Sequence, residues 1–306
     1  MLEQELRLFT PNRPVWLTIG IFDGVHLGHQ VLLQKLIKHA RQDGILSVVL
    51  TFRQHPETVL GHNSEMFFLT TLEERIRLLK ASGVDEVIVL DFVPAIATIS
   101  ALNFLTALIN NLHMVGIVAG PDFALGQNRE GNISRLAEFG KTLGFKLAIV
   151  PPMVVGKEIV SSTLIRQSLS QKDLRKVARL LGRPFSLQGK VIRGEGRGST
   201  LGIPTTNIEV PAQQALPENG VYATRAWINS QQFDSVTNIG TRPTFGEGER
   251  SIETHIFDFD ARLYGSCLRI DIIEQIRSER RFDTIEALVA TIANDIVKAK
   301  EILKNA

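Results

Sequence analysis

Short apolar runs alternate with helical patterns through the first half of the chain. The runs, which are rich in β-branched residues, predict strands at 15–22, 45–52, 86–92, 114–119 and 145–150. After the first run, Val31, Leu32, Leu36 and Ala40 follow the spacing of one helix face. Near-continuous apolar strands separated by helices are typical of a parallel sheet covered on both faces. The pattern therefore predicts a doubly wound, Rossmann-like α/β domain that binds ligands beyond the carboxyl ends of its strands.

The hydrophobic pattern changes in the second half. Residues 161–181 have a helical pattern, and Gly182 followed by Pro184 is typical of a helix end. Beyond it, the alternating runs are at 186–193, 221–228, 233–239, 252–259 and 267–276, followed by a helical stripe at 284–303. An antiparallel β-barrel with a C-terminal helix fits these runs, because closure removes the sheet edges. We predict two domains, residues 1–183 and 184–306.

Length, composition and charge agree with this division. The 306 residues exceed what one core usually holds, and 44% hydrophobic with 22% charged residues is typical of globular proteins. A net charge of +2 gives no overall attraction to nucleic acid or to a membrane, so neither is expected as a partner, although a local anion site stays open. Cys267 has no partner for an internal disulfide, which favours a reducing cytoplasm, and no run approaches the roughly 18 apolar residues of a membrane span. These data leave a weak homo-oligomer open.

The segment after the first strand has the composition of an anion site. Glycines allow the backbone to approach a ligand, and a helix start offers unpaired N–H groups. The candidate residues are Gly20, Phe22, Asp23, Gly24 and Gly28 with His26 and His29. Imidazolium donors here would stabilise charge on the phosphates of a nucleotide. The alternatives are a capped helix start with solvated side chains and a zinc site, although no cysteine accompanies the histidines.

A second candidate lies at the start of the 161–181 helix. Ser161 or Ser162 would cap it, and Arg166 would bring a positive charge to its first turn, where the helix dipole disfavours a cation. A bound phosphate would explain that charge. The alternative is a capped helix with an exposed arginine.

The barrel half carries a third group of candidates. Gly194, Gly198 and Gly202 permit a loop that wraps phosphates, or they form ordinary turns. Thr205 and Asn207 project to one side of an extended segment and can offer oxygen to a hard cation such as Mg²⁺. Alternation places Glu253, His255 and Phe257 on one strand face. If the Glu253 carboxylate has no functional role there, it would form an ion pair at the rim of the barrel.

Several motifs resemble one family. The sequence from Phe22 to His29 is similar to the HxGH signature of nucleotidylyltransferases, in the form found in the adenylyltransferase half of bacterial bifunctional riboflavin kinase/FAD synthetases. Residues 51–56, 120–126 and 161–166 resemble further motifs of that half in the same order. Residues 204–207, 219–222, 238–245, 252–257 and 276–282 resemble the riboflavin kinase module. Gln54, Leu125, Ser199 and Ile203 depart from the commoner residues of these motifs.

The resemblance implies two activities, riboflavin phosphorylation to FMN in the barrel and adenylylation of FMN to FAD in the first domain. ATP would be the co-substrate and Mg²⁺ the metal. It implies catalytic roles for Glu253, His26, His29 and Arg166, and metal binding by Thr205 and Asn207. Further ATP contacts would come from Thr163 and the glycines and serines above, and flavin contacts from Phe52, His55, Pro56, Asp122, Phe123, Asn238 and Arg242. The rival hypotheses are one inactive half, or a flavin- or nucleotide-binding regulator without turnover.

Overall fold

The computed structural model describes residues 2–9, 11–61, 67–194, 202–241 and 250–306. Packing divides the chain into two compact units. The first comprises Met1–Phe67 and Leu72–Ser162, and the second Phe68–Thr71 and Thr163–Ala306. Among the described residues, no helix combines the length and the apolar character needed to cross a membrane.

A five-stranded parallel sheet forms the centre of the first unit and confirms the predicted doubly wound domain. Its strands are β1 (Val15–Ile19), β2 (Leu46–Phe52), β3 (Glu86–Leu90), β4 (Met114–Ala119) and β7 (Lys146–Ile149). They lie in the order β3-β2-β1-β4-β7 with β1 in the middle. Two short antiparallel pairs accompany the sheet, β5 (Ala124–Leu125) with β6 (Gly131–Asn132) and β8 (Val154–Val155) with β9 (Glu158–Ile159).

Helices lie on both sides of that sheet. They are α1 (Leu2–Arg7), α2 (Leu27–Asp43), α3 (Pro56–Val59), α4 (Leu72–Ala81), α5 (Pro94–Ala97), α6 (Ala101–Leu112) and α7 (Ile133–Leu143). Alternate residues of β1 supply the two halves of the core: Leu17 packs in the cluster that contains Leu105 of α6, and Trp16 in the cluster that contains Leu36 of α2. Every residue of β1 is buried, as expected for the central strand.

The second unit contains a closed antiparallel barrel, as predicted. Its strands are β10 (Phe185–Ile192), β11 (Thr206–Glu209), β12 (Gly220–Ile228), β13 (Gln231–Thr241), β14 (Arg250–Ile256) and β15 (Cys267–Ser278). The order around the barrel is β10-β11-β14-β13-β12-β15, and β10 also pairs with β15. The C-terminal helix α10 (Ile285–Lys304) packs Ala299 and Leu303 against Val221 and Val236 of the barrel wall.

Three predicted elements need correction. The first strand ends at Ile19 rather than at Phe22, because Phe22 is in the left-handed region at φ 55°. The helix predicted at 161–181 is two helices, α8 (Ser162–Ser170) and α9 (Leu174–Leu181), separated at Lys172 with φ 65°. The strand β11 was not predicted as a separate element.

Candidate active sites

The loop after β1 turns sharply into α2. Gly20 N donates to Leu50 O at 3.1 Å, which extends the pairing with β2 by one residue. Phe22 and Gly24 then adopt positive φ values of 55° and 77°, and a short 3₁₀ turn over Asp23–Val25 leads to His26. This turn places the N-terminus of α2 at the carboxyl end of the central strand, where open α/β sheets bind their ligands.

His26 and His29 form one stacked pair at that helix start. The N-cap residue is His26, whose Nδ1 accepts the backbone N–H of His29 at 3.3 Å. The two imidazole rings lie 3.6 Å apart between centroids and within 16° of parallel. Because Nδ1 of His26 accepts a hydrogen bond, a neutral His26 carries its proton on Nε2. The predicted helix start after the first strand is observed, and both histidines lie at it.

The environment of His29 disfavours the charged form of its imidazole. Burial lowers its pKa well below the usual value, and the positive charges possible at His26 and present at Arg75 lower it further. Its ring also meets the edge of Phe22 at 5.1 Å, and its Nδ1 is buried with no hydrogen-bond partner among the described residues. A lowered pKa disfavours the imidazolium donor predicted at His29, and in its neutral form the ring can donate a single N–H.

Polar side chains from elsewhere in the chain, Ser162 and Arg75 among them, hold the same loop in place. Ser162 Oγ donates to Asp23 O at 2.9 Å, which brings the start of α8 to the 3₁₀ turn. Arg75 of α4 donates to Ile21 O at 2.9 Å and to Phe52 O at 2.7 Å. The sequence motifs do not identify Arg75 as a site residue. Its spacing from Leu79 on α4 puts it on the buried helix face, and that placement was the available signal.

The segment after β2 carries Phe52, His55 and Pro56. Phe52 is buried and meets Phe92 edge-on at 5.3 Å. His55 caps α3 by accepting the Glu57 N–H on Nδ1 at 3.2 Å, and Pro56 occupies the first helical position. These contacts order the turn, but they assign no ligand to it.

Gln54 departs from the commoner family residue, yet it has a structural role in this chain. Its Oε1 accepts the Phe92 N–H at 3.0 Å, which links the ends of β2 and β3.

Asp122 and Phe123 lie in the turn after β4. Phe123 N donates to Gly120 O at 3.2 Å, and its side chain packs against the core of the first unit. Asp122 is exposed, and its backbone oxygen accepts from Arg129 at 3.0 Å. The carboxylate is thus available to a ligand at the carboxyl end of β4.

The candidate phosphate-binding residues at 161–166 are divided between the two units. Ser161 and Ser162 belong to the first unit, whereas Thr163 and Arg166 belong to the second. Arg166 is the fifth residue of α8, one position beyond the first turn in which the sequence analysis placed it. The predicted conflict with the helix dipole is correspondingly weaker, because the dipole effect is confined to the first turn.

In the barrel, three of the predicted residues form one row across neighbouring strands. Asn207 of β11 lies directly opposite Glu253 of β14, and Glu253 lies directly opposite Asn238 of β13. Directly paired residues of antiparallel strands have their side chains on the same face, with Cβ atoms about 5 Å apart. The barrel thus brings together residues that are separated by up to 46 positions in the sequence.

The row lies on the outer face of the barrel wall. Glu253 and His255 are half-buried, whereas Ile252, Thr254 and Ile256 between them are buried inside, as the alternation predicts. Inside, Thr254 Oγ1 lies 3.0 Å from Thr237 Oγ1. Glu253 is therefore partly exposed on that face, whereas Asn207 in the same row is buried.

The side-chain amide of Asn207 packs closely against the backbone of Gly194. A Cβ atom built there would overlap the amide group of Asn207. Nearby, His255 Nδ1 lies 2.8 Å from Pro204 O, which ties the segment before β11 to β14. Thr205 immediately precedes β11 and is two positions from Asn207.

Gly202 adopts a positive φ of 77° in an open turn. Gly198 and Arg242 fall outside the described residues.

The oxygen donors near Asn207 suit a hard cation. Amide, hydroxyl and carboxylate oxygens from Asn207, Thr205 and Glu253 are the ligand types that Mg²⁺ prefers. By contrast, no group of three His, Cys, Asp or Glu residues in the described ranges is arranged to hold a metal ion. The zinc alternative at His26 and His29 thus gains no support from the described residues.

Comparison with known proteins gives two family matches. Residues 9–164 match the model for FAD synthetase, and residues 181–303 match the model for riboflavin kinase.

Curated relatives match over nearly the whole chain. The bifunctional riboflavin kinase/FMN adenylyltransferase of Escherichia coli (strain K12) is 35% identical over 293 residues, covering 95% of this chain and 93% of that protein. The protein of the same name from Bacillus subtilis (strain 168) is 34% identical, covering 94% and 92%.

A solved structure from Streptococcus pneumoniae, titled macrolide-efflux protein, has a TM-score of 0.86 with 31% identity and covers 95% of both chains.

The parallel-sheet unit with its histidine pair, followed by the barrel with its Asn–Glu–Asn row, defines a two-domain transferase with one site in each domain. The matches make that class specific. The chain belongs to the bifunctional riboflavin kinase/FMN adenylyltransferase family, with the FAD synthetase domain first and the riboflavin kinase domain second. Its substrates are therefore riboflavin, FMN and ATP.

Proposed function

We propose that the barrel phosphorylates riboflavin with Glu253 as the general base. The observation that supports this role is the row in which Glu253 lies between Asn207 and Asn238. The carboxylate accepts the proton of the ribityl 5′-hydroxyl while that oxygen attacks the γ-phosphorus of ATP. The bond from the γ-phosphorus to the bridging oxygen breaks, and ADP leaves. A positioned base contributes about 10²- to 10⁴-fold to such a step.

Mg²⁺ would be held by Thr205 and Asn207 and would neutralise phosphate charge when bound. The fit is supported by the fixed position of Asn207 against Gly194 and opposite Glu253. Asn238, on the other side of Glu253, would contact the flavin substrate, and so would Arg242. Gly194, Gly198 and Gly202 would approach the phosphates of ATP.

The first domain would then transfer AMP to FMN. A phosphate oxygen of FMN attacks the α-phosphorus of ATP, the bond to the bridging oxygen breaks, and pyrophosphate leaves. Nε2–H of His26 and the single N–H of neutral His29 would donate to the phosphate oxygens, where charge accumulates. This assignment is supported by the stacked pair at the N-terminus of α2. The same phosphates remain the predicted partner of Arg166.

The other assignments in the first domain also stay proposals. ATP would contact Gly20, Phe22, Asp23, Gly24, Gly28, Ser161, Ser162 and Thr163. Flavin would contact Phe52, His55, Pro56, Asp122 and Phe123. The domain division at 1–183 and 184–306 remains a prediction from the sequence, and a reducing cytoplasmic compartment remains a prediction from the single cysteine.

Two variants of the intact chain test this division of labour. Glu253→Gln should lower FMN formation from riboflavin, ATP and Mg²⁺ at least about 10²-fold while adenylylation of supplied FMN continues. His29→Ala should do the reverse, so that FMN accumulates and FAD formation falls at least about 10²-fold. Separation of riboflavin, FMN and FAD after incubation measures both activities in one sample.

Each variant has a matched control. Glu209→Gln removes a carboxylate from an exposed position two residues beyond Asn207 on β11, and it should leave both activities within twofold. His113→Asn replaces an exposed histidine at φ 52°, a conformation that Asn tolerates. Loss of both activities in Glu253→Gln alone would contradict two separate sites. Tight flavin binding by the wild-type chain without any FMN or FAD would favour a regulator.

A further inference from the structure

Arg75 is a charged side chain inside the first unit. Only 1% of its surface is exposed, and it lies on α4 beside the buried Leu79. Removing a guanidinium from water costs several kcal/mol unless hydrogen bonds and nearby charges compensate. An arginine in such a place needs contacts that explain it.

Its contacts join two loops of the proposed adenylyltransferase site. One terminal nitrogen donates to Ile21 O at 2.9 Å and the other donates to Phe52 O at 2.7 Å. Ile21 lies in the loop that leads from β1 to His26 and the start of α2, and Phe52 is the last residue of β2, three positions before His55. A single planar guanidinium therefore sets the separation of the two loops, because its donors have fixed geometry.

Electrostatics couple Arg75 to the histidine pair. The negative charge of Asp23 in the same loop favours the charged form of Arg75, although burial is the larger influence and lowers its pKa. The charge of Arg75 in turn helps to lower the pKa of His29, after burial and His26. Arg75 thus acts on the loop through its hydrogen bonds and on His29 through its charge.

We propose that Arg75 is a positioning residue of the FMN adenylyltransferase site, where it holds the loops after β1 and β2 at the separation that ATP requires and maintains the charge environment of His29. The inference rests on the proposed function of the first domain. Failure of this proposal can be distinguished from failure of the proposed function, because every variant is compared with the adenylylation rate of the wild-type chain. Absence of FAD formation by the wild type would reject the proposed function itself.

The test compares Arg75→Met and Arg75→Lys in the intact chain. Arg75→Met removes both carbonyl contacts and the charge, so kcat/KM for FMN adenylylation should fall about 10- to 100-fold. Loss of the charge also raises the pKa of His29. Because neutral His29 is the active form in the proposed mechanism, the acidic limb of the pH profile should move to higher pH. Arg75→Lys keeps the charge and one donor position, so it should recover part of the rate and keep the wild-type limb.

The kinase activity of the same molecules and the variant Lys80→Met serve as controls. Lys80 is an exposed positive charge on the same helix, so its loss should leave adenylylation and its pH profile unchanged. Adenylylation by Arg75→Met within twofold of Lys80→Met would overturn the proposal. So would an unshifted acidic limb in Arg75→Met or a parallel loss of kinase activity. If Arg75→Met fails to fold its first unit, Arg75→Lys decides: slowed adenylylation with a wild-type unfolding midpoint supports the proposal, and full activity overturns it.

Discussion

At the scale of single residues, Gly28 shows how a missing side chain shapes the histidine pair. A Cβ atom at this position would lie 3.1 Å from Cε1 and 3.2 Å from Nδ1 of the His26 ring. These distances are tighter than ordinary van der Waals contact, so the ring would have to move. Since His26 caps α2 with that same Nδ1, its displacement would disturb both the cap and the stack on His29.

Gly28→Ala should therefore slow FMN adenylylation about tenfold, because a small misplacement of donors weakens stabilisation of the transition state. Loss of the cap should also lower the free energy of unfolding by about 1 kcal/mol. Steady-state rates with supplied FMN measure the first effect, and riboflavin phosphorylation by the same sample is the control. An adenylylation rate equal to that of the wild type would show that the His26 ring can shift without cost.

The histidine pair and Arg75 differ in how far the sequence could predict them. His26 and His29 were predictable because a strand, a glycine turn and a helix start are local features. Arg75 acts through carbonyl oxygens of Ile21 and Phe52, which are 54 and 23 positions away and leave no side-chain signature. The neutral state of His29 was likewise hidden, because burial depends on the packed environment.

At the scale of elements, β12 carries a buried tyrosine that makes the barrel sensitive to alkali. The Tyr222 side chain is buried, and its hydroxyl donates to Glu218 O. Burial raises the pKa of Tyr222 to about 12, and nearby Arg250 opposes that rise. The neutral form is therefore favoured by folding, and the unfolded chain loses the same proton at an ordinary pKa of 10.0.

The sign of the pH effect follows from that order of pKa values. The contribution of Tyr222 to stability is complete below pH 10 and is lost as the pH rises from about 10 to about 12. We expect Tyr222→Phe to cost about 1 kcal/mol at neutral pH through the lost hydrogen bond. Its unfolding free energy should then fall less steeply than that of the wild type above pH 10. Denaturant unfolding at a series of alkaline pH values measures both differences.

Tyr264→Phe provides the matched control, because Tyr264 is 60% exposed and keeps its contact with water in the folded state. Its alkaline slope should equal that of the wild type. Identical slopes for Tyr222→Phe and Tyr264→Phe would mean that burial of Tyr222 does not control alkaline stability.

Helices and strands differ in how clearly the hydrophobic pattern of the sequence predicts them. Long strands such as β12 and β15 are visible as alternating runs. By contrast, β11 has four residues and lies beside a glycine-rich segment, so its pattern is too short to identify a strand. The break between α8 and α9 was missed for another reason: Asp173 caps α9 by accepting the Lys176 N–H at 2.9 Å, while apolar residues continue on both sides. The Asp173 cap, and not the hydrophobic periodicity, determines where α9 begins.

At the scale of the whole molecule, the near-zero net charge limits how phosphate-bearing substrates are bound. A balance of 34 basic and 32 acidic residues provides no overall attraction for ATP or FMN. Binding therefore depends on local donors, namely the helix start at His26 in one unit and the turn before Asn207 in the other. This is consistent with one site in each of two units, as the two family matches require.

From the packing of the second unit we predict the residue at which an independently folded kinase fragment must begin. The predicted boundary lies after residue 183, but α9 buries Leu174, Val177, Leu180 and Leu181 and belongs with the barrel unit. An ion pair also joins Arg175 of α9 to Glu274 of β15 at 3.0 Å. The free energy of unfolding should therefore be at least about 2 kcal/mol higher for a fragment of residues 163–306 than for a fragment of residues 184–306. Each buried aliphatic side chain contributes about 1.5–3 kcal/mol before the entropic cost of ordering it is subtracted.

Urea unfolding of both fragments, with riboflavin phosphorylation measured on the same preparations, decides between the two starting points. We expect residues 163–306 to keep kinase activity within a few fold of the intact chain, because Asn207, Glu253 and Asn238 depend on barrel strands alone. We expect residues 184–306 to lose activity as the exposed apolar surface under α9 loosens β10 and β15. Equal stability and activity of the two fragments would instead place the start of the functional domain at residue 184 and make α9 a connector that contributes little to the barrel.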